Sequence, residues 1–105
     1  MSFTIICTGV SITVDAHIGS HVILNMNCTL GHDDRISDFV TIYPGANISG
    51  NVNIGELTEV GSGAVIIQGI NVERDSVVGA GAIVYRRVKT GCTVIGNPAK
   101  VVMRR

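Results

Sequence analysis

The sequence predicts an all-β fold, a single parallel β-helix of about five triangular coils followed by a short C-terminal cap. Two regularities predict it: an aliphatic residue stands at every position divisible by six from 6 to 84, and a mostly small or branched residue follows it four positions later. A period of six would sweep side chains around an α-helix of 3.6 residues per turn, whereas it fits a short strand and a corner. The abundance of β-branched Ile and Val also favours strands.

Both series run along most of the chain, and we expect both to face a common core. The aliphatic series is Ile6, Ile12, Ile18, Leu24, Leu30, Ile36, Ile42, Ile48, Ile54, Val60, Ile66, Val72, Val78 and Val84. The second series is Val10, Ala16, Val22, Cys28, Asp34, Val40, Ala46, Val52, Thr58, Ala64, Ile70, Ser76, Ala82 and Val88. Position 34 is unusual, because a buried carboxyl needs a partner or has its pKa raised. Either this corner is distorted, or the Asp34 side chain reaches solvent.

Three repeats of six make one coil, so residues 18 apart should stack at the spacing of paired strands, about 4.8 Å. One corner column then contains only residues that tolerate a left-handed backbone: Gly9, Asn27, Gly45, Gly63 and Gly81. The repeat predicts a β-helix over residues 1–89 and a closing segment with a basic tail over residues 90–105.

Composition limits the function classes. The net charge is zero, which gives no reason to expect a nucleic-acid partner, although six of the eight Lys and Arg residues lie between Arg86 and Arg105. Three cysteines without a Cys-x-x-Cys spacing argue against a disulfide framework or a structural zinc site. The N-terminal residues lack a signal-peptide pattern and no apolar run could span a membrane, so we expect a cytoplasmic protein with no membrane partner.

Short motifs carry a resemblance to a known family. The hexads IGSHVI, VGSGAV and VGAGAI resemble the left-handed β-helix of hexapeptide-repeat acyltransferases, which implies left-handed coils. The run LNMNCTLGHDDRISDFVTIYPGANISGNVNIGE, followed by VGAGAIV and VIGNPAKVV, is similar to sialic-acid O-acetyltransferases and UDP-4-amino-sugar N-acetyltransferases. The resemblance implies a homotrimer that moves an acetyl group from acetyl-CoA to a sugar hydroxyl or amino group without a metal.

The same resemblance implies roles for individual residues. His32 corresponds to the catalytic histidine of GHDDRISDF, and Asp33 to the acidic residue that orients it. Asn25 is expected near the sugar acceptor. The acetyl-CoA contacts are expected at Thr41, where the family often has a second histidine, and at Gly50, Ser62, Ala80 and Lys100. Full-length members carry a nucleotide-sugar-binding domain before the β-helix, which this sequence lacks.

Stacking supports the assignment of His32 independently, because Gly50 occupies the equivalent position one coil later. A neutral imidazole can remove a proton from an incoming hydroxyl or amine, while a fixed backbone N–H stabilises the oxyanion of the tetrahedral intermediate. An adjacent carboxylate would hold the tautomer of the imidazole. The sequence therefore predicts a base and an oxyanion donor one coil apart.

Two other functions are consistent with parts of the sequence. The lack of a sugar-binding domain allows a non-catalytic trimeric scaffold or a truncated remnant. The three histidines suggest a second enzyme class, the γ-type carbonic anhydrases, which share the fold and bind zinc through three histidines. The spacing argues against this class, because His17 and His21 are four positions apart and that family separates two of its ligands by five. We expect His17 and His21 to be surface or interface residues.

Overall fold

The computed structural model describes residues 3–105 and contains strands and turns but no helix. None of these residues belongs to a helix long and apolar enough to cross a membrane. The sixteen strands are β1 (Ile5–Ile6), β2 (Ser11–Ile12), β3 (His17–Ile18), β4 (Ile23–Leu24), β5 (Thr29–Leu30), β6 (Arg35–Ile36), β7 (Thr41–Ile42), β8 (Asn47–Ile48), β9 (Asn53–Ile54), β10 (Glu59–Val60), β11 (Val65–Ile66), β12 (Asn71–Val72), β13 (Val77–Val78), β14 (Ile83–Val84), β15 (Cys92–Ile95) and β16 (Lys100–Arg104).

The strands form the three faces of a triangular solenoid. The first face has the order β1-β4-β7-β10-β13-β15-β16, the second β2-β5-β8-β11-β14 and the third β3-β6-β9-β12. Every pair is parallel except β15 with β16. The predicted all-β, left-handed parallel β-helix of about five coils is thus confirmed.

Backbone hydrogen bonds between coils fix the register. Leu30 pairs with Ile48 and Ile48 with Ile66, so each residue lies beside its equivalent three hexads later. The Thr29 N–H donates to the Ala46 carbonyl at 3.0 Å, and the Gly31 N–H donates to the Ile48 carbonyl at 2.8 Å. Because the same pairing recurs on all three faces, equivalent residues of successive coils lie in vertical columns.

Both predicted inward series form the core. From Leu24 to Val84, every member of the aliphatic series is at most 3% exposed. The first coil differs, because another coil covers it on one side only: Ile6 is 46% exposed and Ile12 is 40% exposed. The expectation of burial therefore fails at these two residues and is met only in part at Ile18, Val10, Ala16 and Ile70, which are half-buried.

The last coil is shorter than the others. Val88 bridges Val72, and Val94 pairs with Val78, so the partners in both pairs are closer in sequence than partners in the regular coils. Val88 is buried as expected, but it takes a strand position rather than the corner position that the repeat assigns to it. β15 lies within the range expected as the closing segment, yet it continues the first face in parallel before β16 turns back.

Left-handed backbone conformations turn the corners. All five residues of the predicted column have positive φ, from 61° at Asn27 to 76° at Gly9. The other two corners also adopt positive φ, mostly at residues other than glycine, among them Asp33 at 59°, Phe39 at 59° and Leu57 at 64°. Their side chains are exposed, so the corner backbone adopts this conformation outside the core.

We expect Ile48→Ala to lower the free energy of unfolding by about 2 to 5 kcal/mol, since it leaves a cavity in a filled core. Ile12→Ala is the matched control, because Ile12 lies in the same column at the open end of the solenoid. It should cost less than half as much. Urea unfolding followed by circular dichroism measures both values, and equal losses would contradict the stacked core.

Candidate functional site

The candidate site lies where the chain turns from the second face to the third. β5 ends at Leu30, and Gly31-His32-Asp33-Asp34 forms the corner before β6 begins at Arg35. The positive φ of Asp33 makes the turn, a conformation that aspartate adopts more readily than most residues. The His32 and Asp33 side chains are consequently directed outward, 49% and 54% exposed.

The two outward side chains interact with each other. His32 Nδ1 lies 3.2 Å from Asp33 Oδ2. With the proton on Nδ1, the ring donates to the carboxylate and leaves the Nε2 lone pair free to accept a proton. The carboxylate would also stabilise the imidazolium that forms when Nε2 is protonated.

The imidazole of His32 lies against Gly50 in the next coil. An ideal Cβ placed on Gly50 would be 2.5 Å from Nε2 and 2.8 Å from Cδ2, so the ring occupies the space that a side chain at this position would need. The φ of Gly50 is not positive, and the glycine is therefore required for the close approach of the ring rather than for the backbone conformation. The predicted juxtaposition of His32 and Gly50 is present.

Gly31 leaves the backbone nitrogen of Gly50 uncovered. An ideal Cβ on Gly31 would lie 2.5 Å from that nitrogen, where it would displace any ligand atom. The Gly50 N–H has no hydrogen-bond acceptor among residues 3–105. An unpaired N–H beside a free imidazole nitrogen is the pair of groups that acyl transfer needs. Sequence reasoning missed Gly31, although it precedes the histidine in the GHDD motif.

Asp34 does not reach solvent; its side chain is fully buried beneath the same corner. Oδ2 accepts a hydrogen bond from the Gly31 N–H at 2.7 Å, and Oδ1 accepts one from the Val52 N–H at 2.9 Å. Of the two interpretations left open by the sequence, the one with an exposed side chain is wrong. The carboxyl group instead bridges two coils.

Burial raises the pKa of the Asp34 carboxyl from 3.8 to about 6, against the opposing effect of its two N–H donors and of His32. A raised pKa means that the folded chain binds the proton more tightly than the unfolded chain between these two pH values. Ionised Asp34 therefore lowers stability above about pH 6 relative to its protonated form.

A cavity of about 180 Å³ lies at the C-terminal end of the same corner, and its lining includes Arg86 and Lys100. Arg86 follows β14 as His32 follows β5, three coils on. The tail is attached to β14 by two hydrogen bonds, from the Ile83 N–H to Gly96 and from the Ala99 N–H to Ile83. The cavity thus combines two cationic side chains with a firmly attached tail.

The other predicted residues lie elsewhere on the solenoid. Asn25, Ser62 and Ala80 follow strands of the first face, at the corner between the first and second faces, and Thr41 lies on the first face in β7. The Asn25 amide donates to the Ile42 carbonyl at 3.0 Å. Within one chain these residues are separated from His32 by the second face. The structure does not bring them together with it.

No three His, Cys, Asp or Glu side chains among residues 3–105 of a single chain are arranged to hold a metal ion. His17 lies on the third face in β3, and His21 stacks on Phe39 with ring centroids 4.9 Å apart. Both are exposed, and neither shares the corner of His32.

No protein-family model matches the sequence, and no curated protein matches it. Solved structures do match. The chain is 28% identical to a variant of perosamine N-acetyltransferase from Caulobacter crescentus in complex with CoA and GDP-perosamine, with a TM-score of 0.84, over 95% of this chain and 53% of that one. It is 33% identical to WeeI from Acinetobacter baumannii, with a TM-score of 0.90, over 96% and 53%.

A third similar structure is the acetyltransferase domain of PglB from Neisseria gonorrhoeae, at 37% identity and a TM-score of 0.79, over 96% of this chain and 53% of that one. The chain is a hexapeptide-repeat β-helix protein. It spans about half the length of these three matched chains. The resemblance that the repeated hexads indicated, to hexapeptide-repeat acetyltransferases, is therefore confirmed at the level of the superfamily.

We expect Gly50→Ala to displace the His32 ring with little loss of stability. The new methyl group would overlap the imidazole, which can rotate away, and the φ of Gly50 is open to alanine. Any rate that depends on His32 should fall about 100-fold, the scale of a misplaced catalytic group. The melting temperature should stay within a few degrees of the parental value.

Ser49→Ala, at the neighbouring position, is the control and should change neither quantity. The crystal structure of the glycine variant gives the ring position directly. An unmoved ring would contradict the described contact.

The raised pKa of Asp34 predicts a pH-dependent difference between the parental chain and Asp34→Asn, which cannot titrate at this position. As pH rises from 4 to 7, the unfolding free energy of the parental chain should fall by roughly 2 to 3 kcal/mol relative to the variant. Most of the change should occur between pH 3.8 and about 6. Urea unfolding across this range measures it, and a constant difference would show that Asp34 has an ordinary pKa.

Proposed function

We propose that the chain transfers an acetyl group from acetyl-CoA to a sugar, with His32 as the general base and the Gly50 N–H as the oxyanion donor. The observation that supports this proposal most directly is the contact between the His32 imidazole and Gly50. His32 Nδ1 is hydrogen-bonded to Asp33, which leaves Nε2 free to accept a proton. No other histidine among residues 3–105 combines a carboxylate partner with an adjacent unpaired backbone N–H.

The geometry suits direct transfer between two bound substrates. His32 Nε2 takes the proton of the sugar hydroxyl or amine as that atom attacks the thioester carbonyl carbon. The carbonyl oxygen becomes an oxyanion, which the Gly50 N–H stabilises. The carbon–sulfur bond then breaks, and the imidazolium returns its proton to the CoA thiolate. Asp33 stabilises the imidazolium between these two steps.

The acetyl-CoA molecule would extend along the His32 corner toward the C-terminal end. Arg86 and Lys100 line the cavity at that end and would bind the phosphate groups of acetyl-CoA. A guanidinium group can donate two parallel hydrogen bonds to a phosphate, and an ammonium group binds it as a compact positive charge. Similarity supports this choice of cosubstrate, because the perosamine N-acetyltransferase structure contains CoA and the PglB domain was also determined with acetyl coenzyme A.

The remaining predicted contacts require more than one chain. Asn25, Thr41, Ser62 and Ala80 lie across the second face from His32 in the same chain. In the proposed homotrimer, a neighbouring chain would present its first corner to this one. Asn25 would then contact the sugar, while Thr41, Ser62 and Ala80 would contact acetyl-CoA. Exposed apolar side chains at the first corner, such as Met26 and Tyr43, would be covered by that contact.

We propose the amino group of a nucleotide-linked amino sugar as the acceptor. The support is the perosamine N-acetyltransferase, whose structure holds GDP-perosamine and whose identity to this chain is 28%. A sugar hydroxyl remains the second acceptor class, since the same base and oxyanion donor serve either atom.

His32→Ala should lower kcat by about 100- to 10,000-fold, the usual contribution of a general base. The assay is mass-spectrometric detection of acetylated product from acetyl-CoA and nucleotide-linked amino sugars. His17→Ala is the matched control, because His17 is an exposed histidine on another face. It should keep the parental rate.

Calorimetry with CoA accompanies this assay, because His32→Ala should bind CoA as the parental chain does. A parental rate in His32→Ala would refute the role of the base. If the unmodified chain binds no CoA at millimolar concentration, the trimeric scaffold becomes the better interpretation.

A further inference from the structure

Asp34 has no assigned role in the proposed mechanism, although it is the only carboxylate buried in the core of residues 3–105. The other buried polar residues are Thr58 and Ser76, which are uncharged. A buried carboxylate lowers the free energy of unfolding unless its oxygens accept hydrogen bonds. Its presence under the His32 corner therefore indicates a role that an apolar side chain could not fill.

We propose that Asp34 is a positioning residue that holds the His32 corner and the Gly50 corner at a fixed separation, with one carboxylate oxygen bonded to each. The inference rests on the proposed function, because the separation matters only if His32 and the Gly50 N–H act together. Asp34 itself faces the core and does not touch the substrates.

Each of its hydrogen bonds reaches one side of the candidate site. Oδ2 binds the N–H of Gly31, the residue before His32, at 2.7 Å. Oδ1 binds the N–H of Val52, which follows Gly50 closely in the chain, at 2.9 Å. The same carboxyl group therefore links both chain segments, although it shares the Gly31 N–H with the Ile48 carbonyl. Charge-assisted bonds of this kind are stronger than neutral ones.

The bond to Val52 stands where the corners between the first and second faces have a bond within their own turn. At equivalent positions, the Ala64 N–H donates to Gly61 within its own corner at 3.1 Å, and the Ala82 N–H donates to Gly79 at 3.2 Å. The Val52 N–H donates instead to the coil before it. The Gly50 corner is consequently joined to the His32 corner twice, by the Asp34 carboxylate and by the backbone bond from the Asn51 N–H to the His32 carbonyl at 2.8 Å.

Few charged groups compete for this carboxylate. The titratable side chains that act on it are His32 and Asp33, both in its own corner. The equivalent inward positions one coil away on either side are Ala16 and Val52, which are apolar. Because the pKa of Asp34 is about 6, the group is mostly ionised at neutral pH, when both oxygens act only as acceptors.

Thr58 provides a matched control in another corner. Its Oγ1 accepts a hydrogen bond from the Ser76 N–H at 3.3 Å and donates to the Glu73 carbonyl at 3.1 Å. Like Asp34, it is a fully buried side chain that bonds to the equivalent position of the next coil. It lies between the third and first faces, away from His32, so its loss should affect stability alone.

The first experiment compares Asp34→Asn with Thr58→Val in the acetyl-transfer assay. The asparagine keeps one acceptor oxygen and places an NH2 group against the second N–H, so one bridge is lost. We expect kcat to fall about 10- to 100-fold in Asp34→Asn, since small displacements of catalytic groups have effects of this size. The KM of Asp34→Asn for acetyl-CoA should stay within about threefold of the parental KM. The kcat of Thr58→Val should stay within about threefold of the parental kcat.

A parental kcat in Asp34→Asn would overturn the inference, and so would an equal loss in Thr58→Val. If Asp34→Asn does not fold, Asp34→Val replaces it, because valine already occupies equivalent inward positions at Val40 and Val52. The same rate criteria then apply.

A second experiment needs no activity and uses His32→Ala as its background, so that no imidazole lies against Gly50. The ¹⁵N-labelled amides of this variant are followed from pH 4.5 to 7.5, a range that includes the pKa of Asp34. We expect the Gly31, Val52 and Gly50 amide signals to shift with one common midpoint near the pKa of about 6. In Asp34→Asn this transition should disappear, whereas in Thr58→Val it should remain.

The two experiments separate the inference from the proposed function. If Gly31 and Val52 shift and Gly50 does not, Asp34 does not control the Gly50 corner and the inference is wrong. If all three shift but no acceptor is acetylated, the proposed function fails while the link between the corners stands. If transfer occurs and Asp34→Asn keeps its kcat, the inference alone fails.

Discussion

The hydrogen-bonded register between successive coils, which in the regular part of the solenoid pairs each strand with the third strand after it, is the constraint on which the rest of the structure depends. Most strands are too short to be stable alone, and their backbone groups are paired by the coils on either side. This pairing converts distance along the sequence into vertical contact. The approach of the His32 ring to Gly50 is one consequence, since neither residue belongs to a loop that could adjust independently.

The departure from that register at the C-terminal end shapes the other half of the candidate site. The shorter last coil lets β15 complete the first face while the chain between Gly96 and Ala99 folds back onto β14. The cavity beside Arg86 and Lys100 forms where this returning segment meets the C-terminal end of the His32 corner. Regular coils thus fix the reacting groups, and an irregular coil creates the cationic cavity.

The sequence was sufficient to predict the features that depend on the repeat. Aliphatic residues such as Ile42 and Ile66 mark the second position of their strands, and the stacking of His32 on Gly50 follows from simple addition. Features that depend on local exceptions were not predicted. The shortened coil has only a weak signal, the replacement of an aliphatic residue by Thr90 where the period of six would continue.

Side-chain choices at the corners were also beyond the sequence. Phe39 and Leu57 adopt positive φ although neither residue type favours it, because the register of the flanking strands dictates the corner geometry. By contrast, the separation of Asn25 from His32 within one chain follows from the repeat itself, because residues seven positions apart fall on successive corners and not in one column. The functional residues assigned by resemblance therefore divide between two corners.

A site built across two coils requires that the two corners keep a fixed separation. The Asn51 N–H donates to the His32 carbonyl at 2.8 Å on the outside of these corners, and the Asp34 carboxylate joins the same two chain segments from the core side. An apolar side chain at position 34 would fill the space but would leave the Val52 N–H without the acceptor it has here. A carboxylate supplies two acceptors at a cost in desolvation, whereas the hydroxyl of Thr58 supplies one without charge. The carboxyl group is found under the corner that carries the histidine, where two N–H groups from different coils donate to it.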